Sequence, residues 1–244
     1  MNTGAASFVL LIMNCQKYRH RASLQKEKWL NKMQSIPYYH VVGKPDMETT
    51  DDGAPYVFDE KECVLWTKTP DDYESLPKKV IASYDACIHN FPRLKYIFKT
   101  EDDQMCRIED PNKFFYTLIA SLISNTIFPS KYHYCGHVME MSVPDLVQYC
   151  SSSSSSTPHD LITEPPLQKK TTYCSGRFYG LSAKAIRYLL KKRHHIEKEC
   201  VEDYAMGLHL HPRFKENIKN IAIDVFFADM PKEVVLQNIS EHPF

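Results

Sequence analysis

Two periods of apolar residue run through this chain. "SFVLLIM" (Ser7–Met13) and "YYHVVG" (Tyr38–Gly43) are short, continuously apolar runs, which predicts buried strands, with "LQKEKWLNKM" (Leu24–Met33) as the helix between them. Leu76, Val80, Tyr84 and Ile88 recur every fourth residue with Ile81 beside them, the spacing of a helix face, and "LKYIF" (Leu94–Phe98) follows as another strand. Strand–helix alternation of this kind builds a parallel sheet. Further on, Pro111 opens a helix through "NKFFYTLIASLI", and "YHYCGHVMEM" (Tyr132–Met141) reads as a strand. "SAKAIRYLLKK" reads as a helix capped by Ser182, and "NIAIDVFF" (Asn220–Phe227) as a late strand. The serine run and prolines over 151–170 offer little to bury and predict a mobile surface loop. No segment repeats at a fixed period.

One strand end raises a question of charge. "FKTEDDQM" (Phe98–Met105) sets Glu101, Asp102 and Asp103 directly after an apolar run. Adjacent carboxylates repel, and their ionised forms resist leaving water. A solvated turn would relieve both problems, and so would a divalent cation, which takes oxygen ligands and cancels the repulsion. In open α/β sheets, ligands bind outside the carboxyl ends of the strands, which is where this triplet falls. Two later stretches carry related signals. "YCSGRFYGLS" (Tyr173–Ser182) places Gly176 and Gly180 among bulky residues in a chain with only seven glycines, so a turn or a close backbone approach is expected there. "CVEDYAMGLHL" (Cys200–Leu210) interrupts an apolar stretch with Glu202 and Asp203, which fits either a helix-start cap or a base beside a ligand.

Composition narrows the classes. The chain has 244 residues, 43% hydrophobic and 25% charged, enough for one large domain or two fused half-domains. Thirty basic and thirty acidic side chains balance, so no global field draws nucleic acid, and "KKRHH" (Lys191–His195) reads as a solvated helix end. The apolar run Phe8–Met13 is too short to span a bilayer and has no basic leader before it. A soluble, cytoplasmic chain without stable membrane insertion is expected, or a Golgi-lumenal one had an N-terminal anchor been removed. Eight cysteines without a C-x-x-C pair disfavour structural zinc and suggest mostly buried thiols in a reducing setting.

Lysine, then acids ("KTEDD"), then "YCSGRFYGLS", then "EDYAMG" is an order that resembles the family-31 glycosyltransferases, the β1,3-galactosyltransferases, β1,3-N-acetylglucosaminyltransferases and Fringe-like enzymes. Upstream, "DDYESLPKKV" (Asp71–Val80) is similar to the family's "DxYxNLTxKT", and "RASLQKEKW" to its arginine-and-tryptophan helix. Ser75 replaces the motif's asparagine, and Arg177 stands where a small residue is common. With no anchor expected, the resemblance extends to the anchorless virus-encoded and bacterial members of the family.

The resemblance implies an α/β GT-A fold, with a Rossmann-like nucleotide-sugar-binding half (1–110) fused to a mixed-sheet, acceptor-binding half (111–244). It further implies a UDP-sugar donor, a glycan acceptor, Mn²⁺ (or Mg²⁺) and inversion by single displacement. Under it, Asp103 ligates the metal, Asp102 and Glu101 face the ribose, the sugar or metal-bound water, and Gly176 allows close approach to the donor. Lys99 or Lys79 neutralises phosphate or pins the acids, although a lysine beside acids is most often a surface ion pair. Asp203 is the expected base, with Glu202 second and a near-normal pKa of roughly 4. A histidine metal ligand is expected late in the chain, His242 ahead of His209 and His211. The rival readings are a metal-dependent phosphohydrolase and a non-catalytic glycan-binding protein on a decayed transferase fold.

Overall fold

The first apolar run becomes the central strand of the molecule. The computed structural model describes residues 6–50, 53–123, 132–141 and 170–231. In it β1 (Phe8–Met13) lies between parallel β2 (Tyr38–Gly43) and parallel β5 (Tyr96–Glu101). Val9, Leu10, Leu11 and Ile12 are all fully buried because both faces of the strand are covered. Val9 and Leu11 enter one apolar cluster with Val80, Tyr84 and Ile186, while Leu10 and Ile12 enter another with Trp29, Phe98 and Phe115. The two-residue period of the strand divides the core between the two sides.

Among the described residues, the main sheet has eight strands in the order β3-β4-β2-β1-β5-β8-β7-β9. Here β3 is Tyr56–Asp59, β4 Val64–Thr67, β7 Tyr134–Met141, β8 Thr171–Ser182 and β9 Ile218–Asn220. β4, β2, β1 and β5 run parallel, as the alternation predicts, and β8 pairs antiparallel with both β5 and β7. From β1 the chain winds outward through β2 and β4, then crosses to β5 on the other side. That reversal opens a crevice at the carboxyl ends of β1 and β5.

The helices fit the periodic pattern with one shift. α1 (Arg19–Lys28) begins earlier than the apolar spacing suggests, and the chain then tightens into a 3₁₀ turn over Leu30–Lys32 that buries Trp29 and Leu30. α2 (Leu76–Asn90) and α3 (Pro111–Ile123) fall where expected. α4 (Ala183–Leu190) is capped by Ser182, whose Oγ accepts from the Ala185 N–H at 3.2 Å. A short α5 (Arg193–Ile196) precedes α6 (Glu202–His209).

Two expectations change. "YCSGRFYGLS" holds no turn: it lies within the twelve-residue strand β8, whose residues 178–182 pair with β5 and 171–174 and 179–181 with β7, while the register breaks opposite Gly136–Val138 and the Gly176 backbone makes the close approach, to Asp203 and Lys99. "NIAIDVFF" is not a strand either. It holds the short helix α7 (Ile223–Phe226), after which β10 (Phe227–Asp229) pairs with β6 (Gln104–Cys106) in a small separate sheet. The hairpin of β3 and β4 carried no clear pattern. Cys200 is disulfide-bonded, whereas Cys15, Cys63, Cys87, Cys106, Cys135 and Cys174 are free thiols. The segment expected to be a mobile loop lies outside the described residues. Among the described residues, no helix is long and apolar enough to cross a membrane.

α6 reaches β8 through a glycine. A Cβ on Gly207 would collide with Tyr173 Cβ and stand 2.9 Å from the Thr172 carbonyl oxygen. Gly207→Ala therefore forces the helix off the strand, and overpacking of this kind costs about 1–3 kcal/mol. Chemical denaturation should show a lower midpoint at an unchanged slope. An unchanged midpoint would mean that the helix has room to retreat.

Candidate active site

The carboxyl ends of β1 and β5, the middle of β8 and the first turn of α6 border a cleft of about 770 Å³. The acidic triplet lies at its centre, where β5 ends at Glu101 and the chain turns through Asp102 and Asp103 into β6. Gln25 holds this turn from behind, its Nε2 donating to the carbonyls of Glu101 (3.1 Å) and Gln104 (2.8 Å). With both amide hydrogens so placed, Gln25 Oε1 is the acceptor for His40 Nε2 at 3.0 Å. Burial pushes His40 down to about 3, so its ring is neutral and the Nε2–H tautomer faces Gln25.

The three acids meet different partners. Glu101 is bound by the Lys99 ammonium; burial pushes its carboxyl up to about 7 against the pull of that lysine, although 27% of the side chain stays open to the cleft. Asp102 is buried and accepts from Arg21 Nη1 at 2.8 Å; burial lifts it to about 6 while Arg21 works the other way. Asp103 meets no cation among the described residues and accepts only from the Gln104 amide, at 3.0 Å.

Lys99 is not the surface ion pair its neighbours suggest. It is 0% exposed and donates to Glu101, to the Gly176 carbonyl at 3.1 Å and to Glu202 Oε2 at 2.9 Å. Burial opposes its charge, but Glu101 and Glu202 outweigh that and raise its pKa. Its three hydrogens are thus all used within the protein. Lys79, also buried, donates to the Asn14 carbonyl (2.8 Å) and to Asp71 (2.6 Å), and Asp71 in turn accepts from the backbone of Gly43 and Gln16. This lysine ties the ends of β1 and β2 together on the cleft floor.

Glu202 and Asp203 open α6 without capping it, since the N-cap residue is Val201. Glu202 is buried with both oxygens occupied, one by Lys99 and the other by the Tyr179 hydroxyl at 2.5 Å, which itself accepts from Tyr84 at 2.8 Å. Asp203 instead lines the cleft, accepting from the N–H groups of Gly176 (2.7 Å) and Tyr204 (2.8 Å). Burial, then the Glu202 charge, pushes it up to about 6, above the near-normal value expected from sequence. Gly176 joins these groups: a Cβ there would sit 3.3 Å from Asp203 Oδ2, 3.4 Å from Lys99 Nζ and 3.5 Å from Glu101 Oε1.

The histidines do not join them. His209 bonds Glu199 at 2.8 Å, His211 accepts from the Arg213 N–H at 3.2 Å, and neither lines the cleft. His242 lies outside the described residues. Among the described residues no three or more His, Cys, Asp or Glu side chains gather as a metal site of their own. Sequence reasoning passed over Asn14 and His40, which had no local signal, and gave no part to Gln25 in "RASLQKEKW", Asp71 in "DDYESLPKKV" or Tyr179 in "YCSGRFYGLS". Arg21 lies in "RASLQKEKW", a stretch noted without a role for that residue.

Comparison with curated proteins yields no significant match. The family profile described as galactosyltransferase matches residues 19–213, from the start of α1 to beyond α6, and so takes in every acid described above. With the mixed eight-stranded sheet and its covering helices, this match shows a GT-A-type glycosyltransferase fold, and the chain belongs to the galactosyltransferase family.

Proposed function

We propose that this glycosyltransferase moves a sugar from a UDP-sugar to a hydroxyl of a glycan acceptor by inverting single displacement, with Asp103 holding a divalent metal ion and Asp203 acting as base. One observation carries the reading: Asp203 and the acid turn face the same cleft, joined through Gly176 and Lys99. The donor belongs to the half that ends in the acid turn, and the acceptor to the half that carries Asp203.

The residues present fit a metal. Asp103 is the acid of the triplet that no cation neutralises among the described residues, and a hard cation such as Mg²⁺ is commonly held by one or two carboxylates completed by substrate phosphates. Once bound, the ion would stabilise the charge growing on the departing diphosphate. The other acids keep protein partners. Glu202 serves as the buried counter-ion of Lys99 and not as a second base, since both of its oxygens are occupied.

Asp203 must be ionised to accept the hydroxyl proton. Its pKa of about 6 leaves it so at neutral pH and makes it a stronger base than a solvated aspartate. Protonation removes the base, so turnover should decline as the pH falls through about 6 and then drop about tenfold per further unit. Asp203→Asn should lower turnover by about 10²–10⁴ and abolish this acid limb while UDP-sugar binding persists. If the mutant keeps most of its turnover, Asp203 is not the base.

Asp103→Ala tests the metal site. Calorimetry should show UDP binding that depends on Mn²⁺ in the wild type and not in the mutant. Undiminished metal-dependent binding in the mutant would move the ion elsewhere.

A further inference from the structure

Arg177 stands where the motif commonly has a small residue, and nothing above gives it a part. It lines the cleft together with Asp103. Its guanidinium is nonetheless committed within the protein. Nε donates to Gln104 Oε1 at 3.1 Å and lies 3.2 Å from Asp229 Oδ1, while Nη1 meets Asp224 Oδ1 at 2.6 Å. The two aspartate side chains are 72% and 81% exposed, and ion pairs with such partners add little to stability. Gln104 is different. It is 2% exposed, so its amide must be satisfied by the protein.

That amide reaches the acid turn. Gln104 Nε2 donates to Asp103 Oδ1 at 3.0 Å and to Asp229 Oδ1 at 2.8 Å, which uses both of its hydrogens. Rotated by half a turn, the amide would set its oxygen against two carboxylates and its NH₂ against a guanidinium. Arginine carries donors only, so Arg177 decides which way the amide lies. The backbone of the turn is fixed separately: the Met230 N–H donates to the Asp103 carbonyl at 2.6 Å, and β10 pairs with β6. What remains to be set is the Asp103 carboxylate. Gln104 holds its Oδ1, and Oδ2 has no hydrogen-bond partner among the described residues.

We propose that Arg177 is a positioning residue for the metal ligand: it locks the Gln104 amide, which holds Asp103 Oδ1 and leaves Oδ2 to meet the ion. The proposal rests on the Asp103 metal reading above and adds the side chains that aim that carboxylate. Partners of this kind orient a ligand before the ion arrives, and losing one typically lowers metal affinity by about 10–100-fold. Charge and position predict opposite signs here. Arg177 is a cation beside a cation site, so by charge alone its removal strengthens metal binding. As a positioning residue, its removal weakens it.

Calorimetric titration of the full chain with UDP, repeated over a series of Mn²⁺ concentrations, tests it. The series gives the Mn²⁺ concentration at which UDP affinity reaches half its limiting value. Arg177→Met should raise that concentration by about tenfold or more, with UDP affinity at saturating Mn²⁺ within about twofold of the wild type. The strand should tolerate the change, since the Arg177 carbonyl is held by the Thr100 hydroxyl at 2.6 Å. Asp224→Asn, which removes a charge that touches Arg177 but not Gln104, should leave the Mn²⁺ requirement within about twofold. In the wild type, the Gln104 side-chain amide signals should shift in NMR spectra when Mg²⁺ is added in the presence of UDP, a readout that depends on no variant folding. The positioning role is overturned, and the metal reading stands, if Arg177→Met needs no more Mn²⁺ than the wild type. The same follows if Asp224→Asn raises the requirement equally, or if the amide signals stay in place. If UDP binding to the wild type is indifferent to Mn²⁺, the metal reading falls and takes the positioning role with it.

Discussion

The Lys99 ammonium organises the centre of this protein. It comes from β5, touches the backbone of β8 at Gly176 and meets the first residue of α6 at Glu202, so one buried ion joins three elements. A buried cation is tolerable only with anions and hydrogen bonds around it, and removing one partner of such a pair costs about 3–5 kcal/mol. The requirement spreads outward. Glu202 needs the Tyr179 hydroxyl for its second oxygen, Tyr179 accepts from Tyr84 on α2, and a Cβ at residue 176 would press on Asp203 Oδ2 at 3.3 Å, so glycine leaves the charged groups room to converge. The acids follow an apolar strand because that strand brings their counter-ion with it.

The same arrangement sorts the carboxylates. Glu101 and Glu202 are held by Lys99 and Asp102 by Arg21, and each bond also fixes backbone: the β5 end, the α6 start and the acid turn. Gln25 and neutral His40 brace that turn from behind, so it keeps its shape without drawing on the cleft. Among the described residues, Asp103 and Asp203 are left facing the cleft without a cation of their own. Repulsion among neighbouring acids is thereby met within the protein at every position except the two assigned to ligand and proton.

Burial also sets the character of Asp203. It receives two backbone N–H groups, which favour its charge, but desolvation and the Glu202 charge outweigh them. The close fit of α6 on β8 produces that burial, and Gly207 permits the fit. A glycine in the last turn of the helix thus bears on the basicity of an aspartate in its first.

Local pattern alone determined a good part of this molecule. The runs Val9–Met13 and Tyr96–Phe98, the four-residue spacing through Leu76 and Ile88, and the Ser182 cap are readable because period and capping act over a few residues. The acids and Gly176 stood out by residue type in those frames. Pairing between distant strands, by contrast, has no local signature. The glycine-bearing segment 173–182 read as a turn or a close backbone approach until pairing with β5 and β7 made it strand, and the late apolar run became a short helix once β6 had paired with β10. Solvation was equally hidden: "KTEDD" gave no sign that Lys99 is buried, because its counter-ion Glu202 lies far along the chain. Arg21 and Gln25 met the acid turn only when α1 was laid beside it. Charge burial depends on what surrounds an atom on every side, and only the folded chain supplies those surroundings.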